Sequence, residues 1–568
     1  MNKTAKMLLF AAFLFSCFVN AEEDVSKSIK ALRMEGFNSG ELDTFEIQVS
    51  VKKMMLIEYD KNKTPEPTVE HKKTGYLIYL RNYMFDVNPF SNPAPNEIDK
   101  KSIKIMSAPG EYEPVVFSIY PFTTLKNCRI TVSDFVNAAG DKLPSDSFQI
   151  NEVKCRPTGL TDSITVRGEF LVKTKEIPLI EEGVSKSVWV NLKTPENTKE
   201  GVYKGKLTFS PANKPASEID VEVKIYPFKL MQPPDISWSP IMAGTWKFEQ
   251  MEKEFVAVKE HGMTGQVTDS LRPEGDNYSD FTKANKYMDL AKKTGMTGEF
   301  VLSNVHIQGT SRFDGVGGMG VRGAQVFSSS TYSKLKTILT KTRDNAISNK
   351  WLPYMFYLTT ELGSTDGAGP GDFKKTMKGA EEYYAAAREV TGVKLLATFN
   401  RPEELTMHWN LPTLDIFGYN GMMFPEWAKG AKQKPCWLTF VTLNDRFGHG
   451  LFLWKFNLKG VRPWTQNPGV MTKWEPGLLY YFDNEEHPSV RFERIREGVD
   501  DYKYMYTLSQ YIKQAKAKGK DTSVAEKMLQ MIIDKIPNDH HKDTSGFDFL
   551  KLDDFRQQMA EQIVKLMK

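Results

Sequence analysis

Cysteine is scarce in this chain, four in 568 residues, and no Cys-x-x-Cys pair occurs, so neither a dense disulfide framework nor a thiolate zinc cage can be built. The eight histidines are scattered and no His-Glu-x-x-His is present; no metal is expected. No Gly-x-Gly-x-x-Gly directly follows an apolar strand pattern, which counts against a dinucleotide-binding open sheet, and no cofactor is expected. Beyond the N-terminal leader no apolar run reaches 18 residues, so no membrane span is expected. The formal charge is only +4, from 75 basic and 71 acidic residues, which gives no electrostatic footing for a nucleic acid partner.

What the chain does have begins at its first residues. Lys3 and Lys6 precede an apolar stretch from Met7 to Val19, and Val19-Asn20-Ala21 offers a small-residue cleavage site before Glu22. That is the pattern of a secretory signal peptide over residues 1–21, giving a secreted or periplasmic product. A lipoprotein anchored through Cys17 is disfavoured, because Phe15 stands where such signals need a small residue. Roughly 550 residues remain, more than one core supports, so two or three domains are expected. Cys128 and Cys155 both fall in a β-rich region, where a disulfide or two buried thiols are both open readings.

From about residue 28 to 230 short strand patterns alternate with polar punctuation: Thr44 to Met55, Gly75 to Leu80, Pro114 to Tyr120, Lys186 to Leu192 and Gly201 to Phe209. This predicts a β-sandwich over 22–232, closed by a stiff segment containing Pro233 and Pro234. The period then changes. Helical patterns at Glu252–His261, Phe281–Thr294, Tyr332–Asn349 and Phe373–Val390 alternate with apolar runs near Ile236–Gly244, Gly265–Asp269, Gly298–Ile307, Pro353–Glu361, Val393–Asn400, Leu414–Tyr419 and Gly450–Phe456. Such alternation predicts a (β/α)8 TIM-like barrel over 233–488. From Ser489, Phe492, Ile495, Val499, Tyr502 and Tyr506 recur at helical spacing, so 489–568 is expected to be a C-terminal helical segment.

In such a barrel the chemistry sits at the carboxyl ends of the strands. The apolar run Tyr354–Leu358 ends on Thr359-Thr360-Glu361 before a glycine-rich loop, which makes Glu361 the first candidate for a general acid. Asp269 closes an earlier strand and is the best second carboxylate, ahead of Asp415 and Asp483. The same rim would carry Trp246, Asn304, Tyr357, Asn400, Tyr419, Trp427, Trp454 and Lys455. Aromatic rings with amides and a few charges suit a pyranose, whose C–H face stacks on rings while its hydroxyls take hydrogen bonds. An oligosaccharide or polysaccharide substrate follows.

Two groups of motifs carry a resemblance. Ala108-Pro109-Gly110-Glu111-Tyr112-Glu113-Pro114-Val115, with Trp189-Val190-Asn191 and Gly201-Val202-Tyr203-Lys204-Gly205, resembles the sandwich domain of glycoside hydrolase family 123. Gly450-Leu451-Phe452-Leu453-Trp454-Lys455 and Arg496-Glu497-Gly498-Val499-Asp500-Asp501-Tyr502 resemble the end of that family's barrel and the helix after it. The resemblance implies a secreted exo-β-N-acetylgalactosaminidase-type enzyme using an Asp-Glu pair on one strand, the Glu as acid/base and the Asp orienting the substrate's acetamido group. Glu361 matches the acid/base, whereas Thr360 occupies the Asp position. A hydroxyl cannot stabilise the positive charge of an oxazolinium-like intermediate. The sequence therefore points to a glycoside hydrolase of a β-linked glycan, with a non-catalytic glycan-binding barrel as the rival and a polysaccharide lyase as a weaker third reading.

Overall fold

The computed structural model describes residues 55–56, 62–98, 100–158, 163–242, 248–268, 271–303, 305, 307–308, 327–360, 370–399, 412–420, 434–439, 445–466, 476–482, 485–537 and 547–568. The chain divides into two compact units: Met1–Leu230 with Pro468–Pro476 and His487–Val490, and Met231–Asn467 with Gly477–Glu486 and Arg491–Lys568.

The first unit is a sandwich of two sheets. One runs in the order Met55–Leu56, Ser163–Lys173, Phe148–Thr158, Lys186–Lys193, Tyr112–Pro121, Tyr76–Tyr79; the other Glu176–Ile180, Leu125–Val132, Gly201–Ser210, Ser217–Ile225, Ser102–Ser107. Alternate residues of both, among them Phe117, Ile119, Val188, Val190, Phe209 and Val221, fill the space between the sheets, as the period of two requires. Cys128 belongs to this core and burial pushes its thiol up to about 12. Cys155 lies elsewhere, its Sγ 4.0 Å from the Val87 carbonyl, and neither cysteine is in a disulfide. The Ala108–Glu111 motif is a strand-entry turn in which the Ala108 N–H donates to the Glu111 carboxylate at 2.6 Å.

In the second unit eight parallel strands form the path β1 (Ser237–Trp238), β8 (Gly460–Arg462), β7 (Cys436–Thr439), β6 (Ile416–Asn420), β5 (Leu395–Phe399), β4 (Tyr354–Thr360), β3 (Phe300–Leu302), β2 (Val267–Thr268). A parallel bridge between Ile241 and Val267 joins the two ends, and a short strand Ile307–Gln308 adds to β4. Helices α1 (Phe248–Glu260), α2 (Thr282–Lys293), α3 (Ser329–Ser348) and α4 (Pro370–Arg388) separate the first five strands. Val267, Val301, Met355, Leu396, Ile416 and Trp437 pack the interior.

The strand expected at 450–456 is not one. Asp445–His449 (α5) and Leu451–Lys455 (α6) are short helices, and the strand comes afterwards, as β8. A short apolar run fits a buried helix as well as a strand, and here its rings are used on several sides: Phe452 meets Phe447 and Phe456, and Trp454 meets Tyr502.

The C-terminal helices Val490–Ala517 (α7), Ser523–Lys535 (α8) and Lys551–Met567 (α9) follow. The Arg496–Tyr502 motif is architectural. A Cβ on Gly498 would lie 2.2 Å from the Arg446 carbonyl oxygen, so only glycine lets α5 rest against α7 there. Asp501 accepts from Arg446 Nε at 2.7 Å and Arg556 Nε at 2.7 Å, Glu497 accepts from Arg556 Nη1 at 2.8 Å, and Asp553 takes Arg446 Nη1. Tyr502 stands edge-on to Trp238 of β1, with centroids 5.3 Å apart. No helix among the described residues is long and apolar enough to cross a membrane.

Candidate active site

Strand β4 sets the site. Met355 and Tyr357 face the barrel interior, and strict alternation would send Thr359 inward and Thr360 out. A register shift against β5 between Tyr357 and Thr359 reverses that phase. Thr359 now bonds the hydroxyl of Tyr384 on α4, while Thr360 turns inward and accepts a hydrogen bond from Thr398 Oγ1 at 2.8 Å.

Thr360 thereby joins the last interior layer before the strand ends, and that layer is polar. Arg462 of β8 is 0% exposed. Its Nη2 donates to Thr439 Oγ1 at 2.7 Å and to the Tyr357 hydroxyl at 3.3 Å, and its guanidinium carbon lies 4.3 Å from the centre of the Tyr357 ring. The Tyr357 and Thr398 hydroxyls are 2.7 Å apart. Either of these two hydroxyls can donate to the other, and Thr398 Oγ1 also lies 3.5 Å from the Thr359 carbonyl. The result is a contiguous polar network running from Arg462 through Tyr357 and Thr398 to Thr360. Gly418 of β6 makes room for it, since a Cβ there would lie 2.2 Å from Thr398 Cγ2. Arg462 Nη1 has no hydrogen-bond partner, and no carboxylate among the described residues pairs with this guanidinium.

Of the residues expected at the rim, Tyr357 and Thr360 come together in this floor layer. Glu361, Asp269, Trp246, Asn304, Asn400 and Trp427 lie outside the described residues. Three expectations are corrected. Tyr419 is 0% exposed and shares the outward face of β6 with Phe417, because Ile416 and Gly418 take the inward one. Trp454 and Lys455 sit on α6, before β8 rather than after a strand, which places them toward the amino end; Trp454 packs 5.2 Å from Tyr502 and Lys455 Nζ donates to the Ile536 carbonyl. Asp415 likewise precedes β6, where it accepts from the Leu395 N–H at 2.8 Å and from Arg388 Nη2 at 2.6 Å. The amino end also holds a cavity of about 710 Å³, edged by the ion pairs Lys394–Glu299 and Lys459–Asp235. In barrels of this kind that end serves stability.

Arg462, Thr398 and Thr439 are residues that sequence reasoning misses. The three-residue β8, ending on a charge, lacks the apolar length by which the other strands announce themselves, and Trp464 just after it is the one cue in the string.

The fold is a sandwich and a parallel barrel with a hydroxyl-rich floor at the carboxyl end of β4. Residues 113–210 match the Glycoside hydrolase 123 N-terminal domain, and the chain is similar in structure to a family 123 glycoside hydrolase from Clostridium perfringens at 12% identity and a TM-score of 0.61, covering 86% of this chain and 97% of that one. Matches of lower TM-score include a GH5 xyloglucanase from Bacteroides ovatus (9% identity, 71% and 98% covered, 0.30) and a family 39 glycoside hydrolase from Bacteroides cellulosilyticus WH2 (12%, 70% and 81%, 0.33). No curated protein sequence matches. The chain is thus family 123-like in its N-terminal domain and in its fold.

Proposed function

We propose that this protein is a glycoside hydrolase that cleaves a β-linked glycan at the carboxyl mouth of its barrel, with Glu361 as general acid/base, and that residues 1–21 direct it out of the cytoplasm. The observation that carries the reading is Thr360: the bulge in β4 turns it into the floor of the barrel mouth, and Glu361 follows it directly in a chain with a family 123 N-terminal domain. A carboxylic acid there protonates the leaving glycosidic oxygen, and as carboxylate it then takes a proton from the attacking water. Thr360 and its hydroxyl partners are neutral, and can hold a sugar hydroxyl or an acceptor oxygen but give no charge to balance an oxazolinium. A sugar without an acetamido group is therefore the better fit.

The second reading, a glycan-binding protein without turnover, draws on the same neutral Thr360. Turnover of a panel of β-glycosides and natural polysaccharides separates the two. Glu361→Gln keeps the shape and removes the proton donor, so kcat is expected to fall by roughly 10²–10⁴ on an unactivated substrate with folding unchanged. Near wild-type turnover by that variant removes Glu361 from the chemistry; no turnover by the wild-type chain on any glycan favours the binder.

A further inference from the structure

The cavity of about 710 Å³ at the amino end of the barrel has an exposed edge and a buried polar lining. Gln232, Pro234, Asp235 and Thr297 are exposed, whereas Ser237, Thr264 and Ile416 are buried. Gly298 lets the two hydroxyls share one spot: a Cβ there would lie 2.3 Å from Thr264 Oγ1 and 2.7 Å from Ser237 Oγ. Each hydroxyl accepts one backbone N–H, Ser237 from Glu299 at 2.8 Å and Thr264 from Trp238 at 3.1 Å. Neither donates to an acceptor among the described residues, so each keeps a proton to give, although Ser237 is only 4% and Thr264 only 7% exposed. Two buried donors brought together over a glycine, in a cavity of this size, are more than closing a barrel requires.

The charges at the cavity are already matched. Lys394 pairs with Glu299, and Lys459 with Asp235 at 2.6 Å. Each carboxylate spends one oxygen on its lysine and keeps the other as an acceptor. An anion would meet two carboxylates and a cation two ammonium groups, so net charge draws neither. The lining suits a neutral ligand whose groups both donate and accept. Pro233, Pro353, Pro435 and Ile416 add apolar surface between these polar points. A pyranose has that character, with hydroxyls for the polar groups and a C–H face for the proline rings and Ile416.

We propose that the amino-end cavity is a second carbohydrate site, which holds one or two neutral sugar units without cleaving them. Ser237 and Thr264 donate to the sugar, and Glu299 and Asp235 accept from it. The site is separate from the barrel mouth and does not rest on the hydrolase reading.

The test reads the cavity locally. In the full-length protein the Ile416 methyl signals, assigned through Ile416→Val, are followed by NMR as galactose, lactose, inorganic phosphate and ethylammonium are added in separate titrations. The sugars are expected to shift these signals saturably, with phosphate and ethylammonium binding at least tenfold more weakly. Gly298→Ala places a methyl where the two hydroxyls meet; it is expected to abolish the sugar response and to leave any turnover at the mouth unchanged. Asp235→Ala removes an acceptor from a largely exposed ion pair, so the test survives if Gly298→Ala does not fold. Sugar affinity is expected to fall roughly fivefold or more in Asp235→Ala, and phosphate affinity to rise because Lys459 is left unmatched; loss of a merely structural pair would produce neither. Ile416 signals that sugars leave unmoved, a sugar response that persists in Gly298→Ala, or phosphate binding as tightly as sugar in the wild-type chain overturns the proposal. A saturable Ile416 response in a chain that hydrolyses no glycan removes the hydrolase reading and leaves this site standing, whereas Glu361-dependent hydrolysis with Ile416 unmoved does the reverse.

Discussion

Two sets of buried arginines in the same unit are treated in opposite ways. Arg446 and Arg556, between α5, α7 and α9, are met by Asp501, Glu497 and Asp553, so their charge is cancelled where it is buried. Arg462, equally buried, is met by hydroxyls alone among the described residues. Taking a guanidinium out of water costs several kcal/mol, and a matching carboxylate is the usual remedy. Where that remedy is applied the arginine holds helices together; at Arg462 no carboxylate among the described residues supplies it, and hydroxyls and the Tyr357 ring stand in its place. The motif most specific to the resemblance thus marks architecture, and Arg462, at the end of β8, carries no motif.

The paired set is where the largest effect is expected. Asp501→Ala strips Arg446 and Arg556 of a carboxylate that accepts three of their N–H bonds, at 2.7, 3.0 and 2.7 Å, and leaves Arg446 with Asp553 and Arg556 with Glu497 as their remaining carboxylates. Breaking a buried pair from one side costs about 3–5 kcal/mol, which denaturant unfolding of the purified variant would register directly. A loss below about 1 kcal/mol would mean that the cluster contributes little and that the comparison with Arg462 has no energetic content.

Much of the architecture was legible because it follows from periodicity. The four helices α1 to α4 and the strands β2 to β6 fall where apolar spacing changes from one period to the other, and of the expected stripe Phe492, Ile495, Val499 and Tyr502 are buried while Tyr506 is half-buried. The failures share a cause. Gly450–Lys455 is apolar enough for a strand and is a helix; Gly460–Arg462 is too short and too polar to read as a strand and is one. The floor was harder still. Whether Thr359 or Thr360 faces inward depends on a one-residue bulge between Tyr357 and Thr359, and a bulge leaves no trace in composition or spacing. Trp454 and Tyr419 read as rim residues because an aromatic near a strand end looks the same whether it stacks on a sugar or on Tyr502.

An acid without a counter-ion supplies the mirror image of Arg462. Glu254 on α1 accepts from Gln466 Nε2 at 3.0 Å, and Glu486 is the charged group that faces it; burial first, and the charge of Glu486 second, push the carboxyl up to about 7. Unlike an arginine, this group can shed its charge by keeping a proton. Its folded value lies above its ordinary value of 4.5, so the folded chain binds more protons than the unfolded one between those limits. Stability is then full below about pH 4.5 and declines as pH rises through about 7, by at most about 3.5 kcal/mol, since each tenfold difference in proton affinity between the two states is worth roughly 1.4 kcal/mol. Glu254→Gln keeps an acceptor for Gln466 and removes the titration. Its melting temperature is expected to fall less than that of the wild-type chain between pH 5 and 8, and parallel curves would show that Glu254 is ionised in the fold.

The smallest effect is expected at Arg462 itself, and its smallness is informative. Arg462→Met replaces an unpaired buried cation with an apolar chain of similar length, and such replacements are often neutral or stabilising. Nothing charged is left behind. Thr439 loses a donor but can turn its own proton elsewhere, and Tyr357 keeps its bond to Thr398. Against this stands the loss of a guanidinium stacked 4.3 Å from the Tyr357 ring, worth roughly 1–2 kcal/mol in a dry interior. The relief of desolvation is set against the lost stacking and the three hydrogen bonds to Thr439 and Tyr357, so the unfolding free energy should stay within about 1 kcal/mol of the wild-type value. A destabilisation as large as that of Asp501→Ala would mean that Arg462 belongs with Arg446 and Arg556 as a structural cation. A neutral result would leave a buried charge with no structural reason to be retained, and the chemistry of the barrel mouth as the place to look for one.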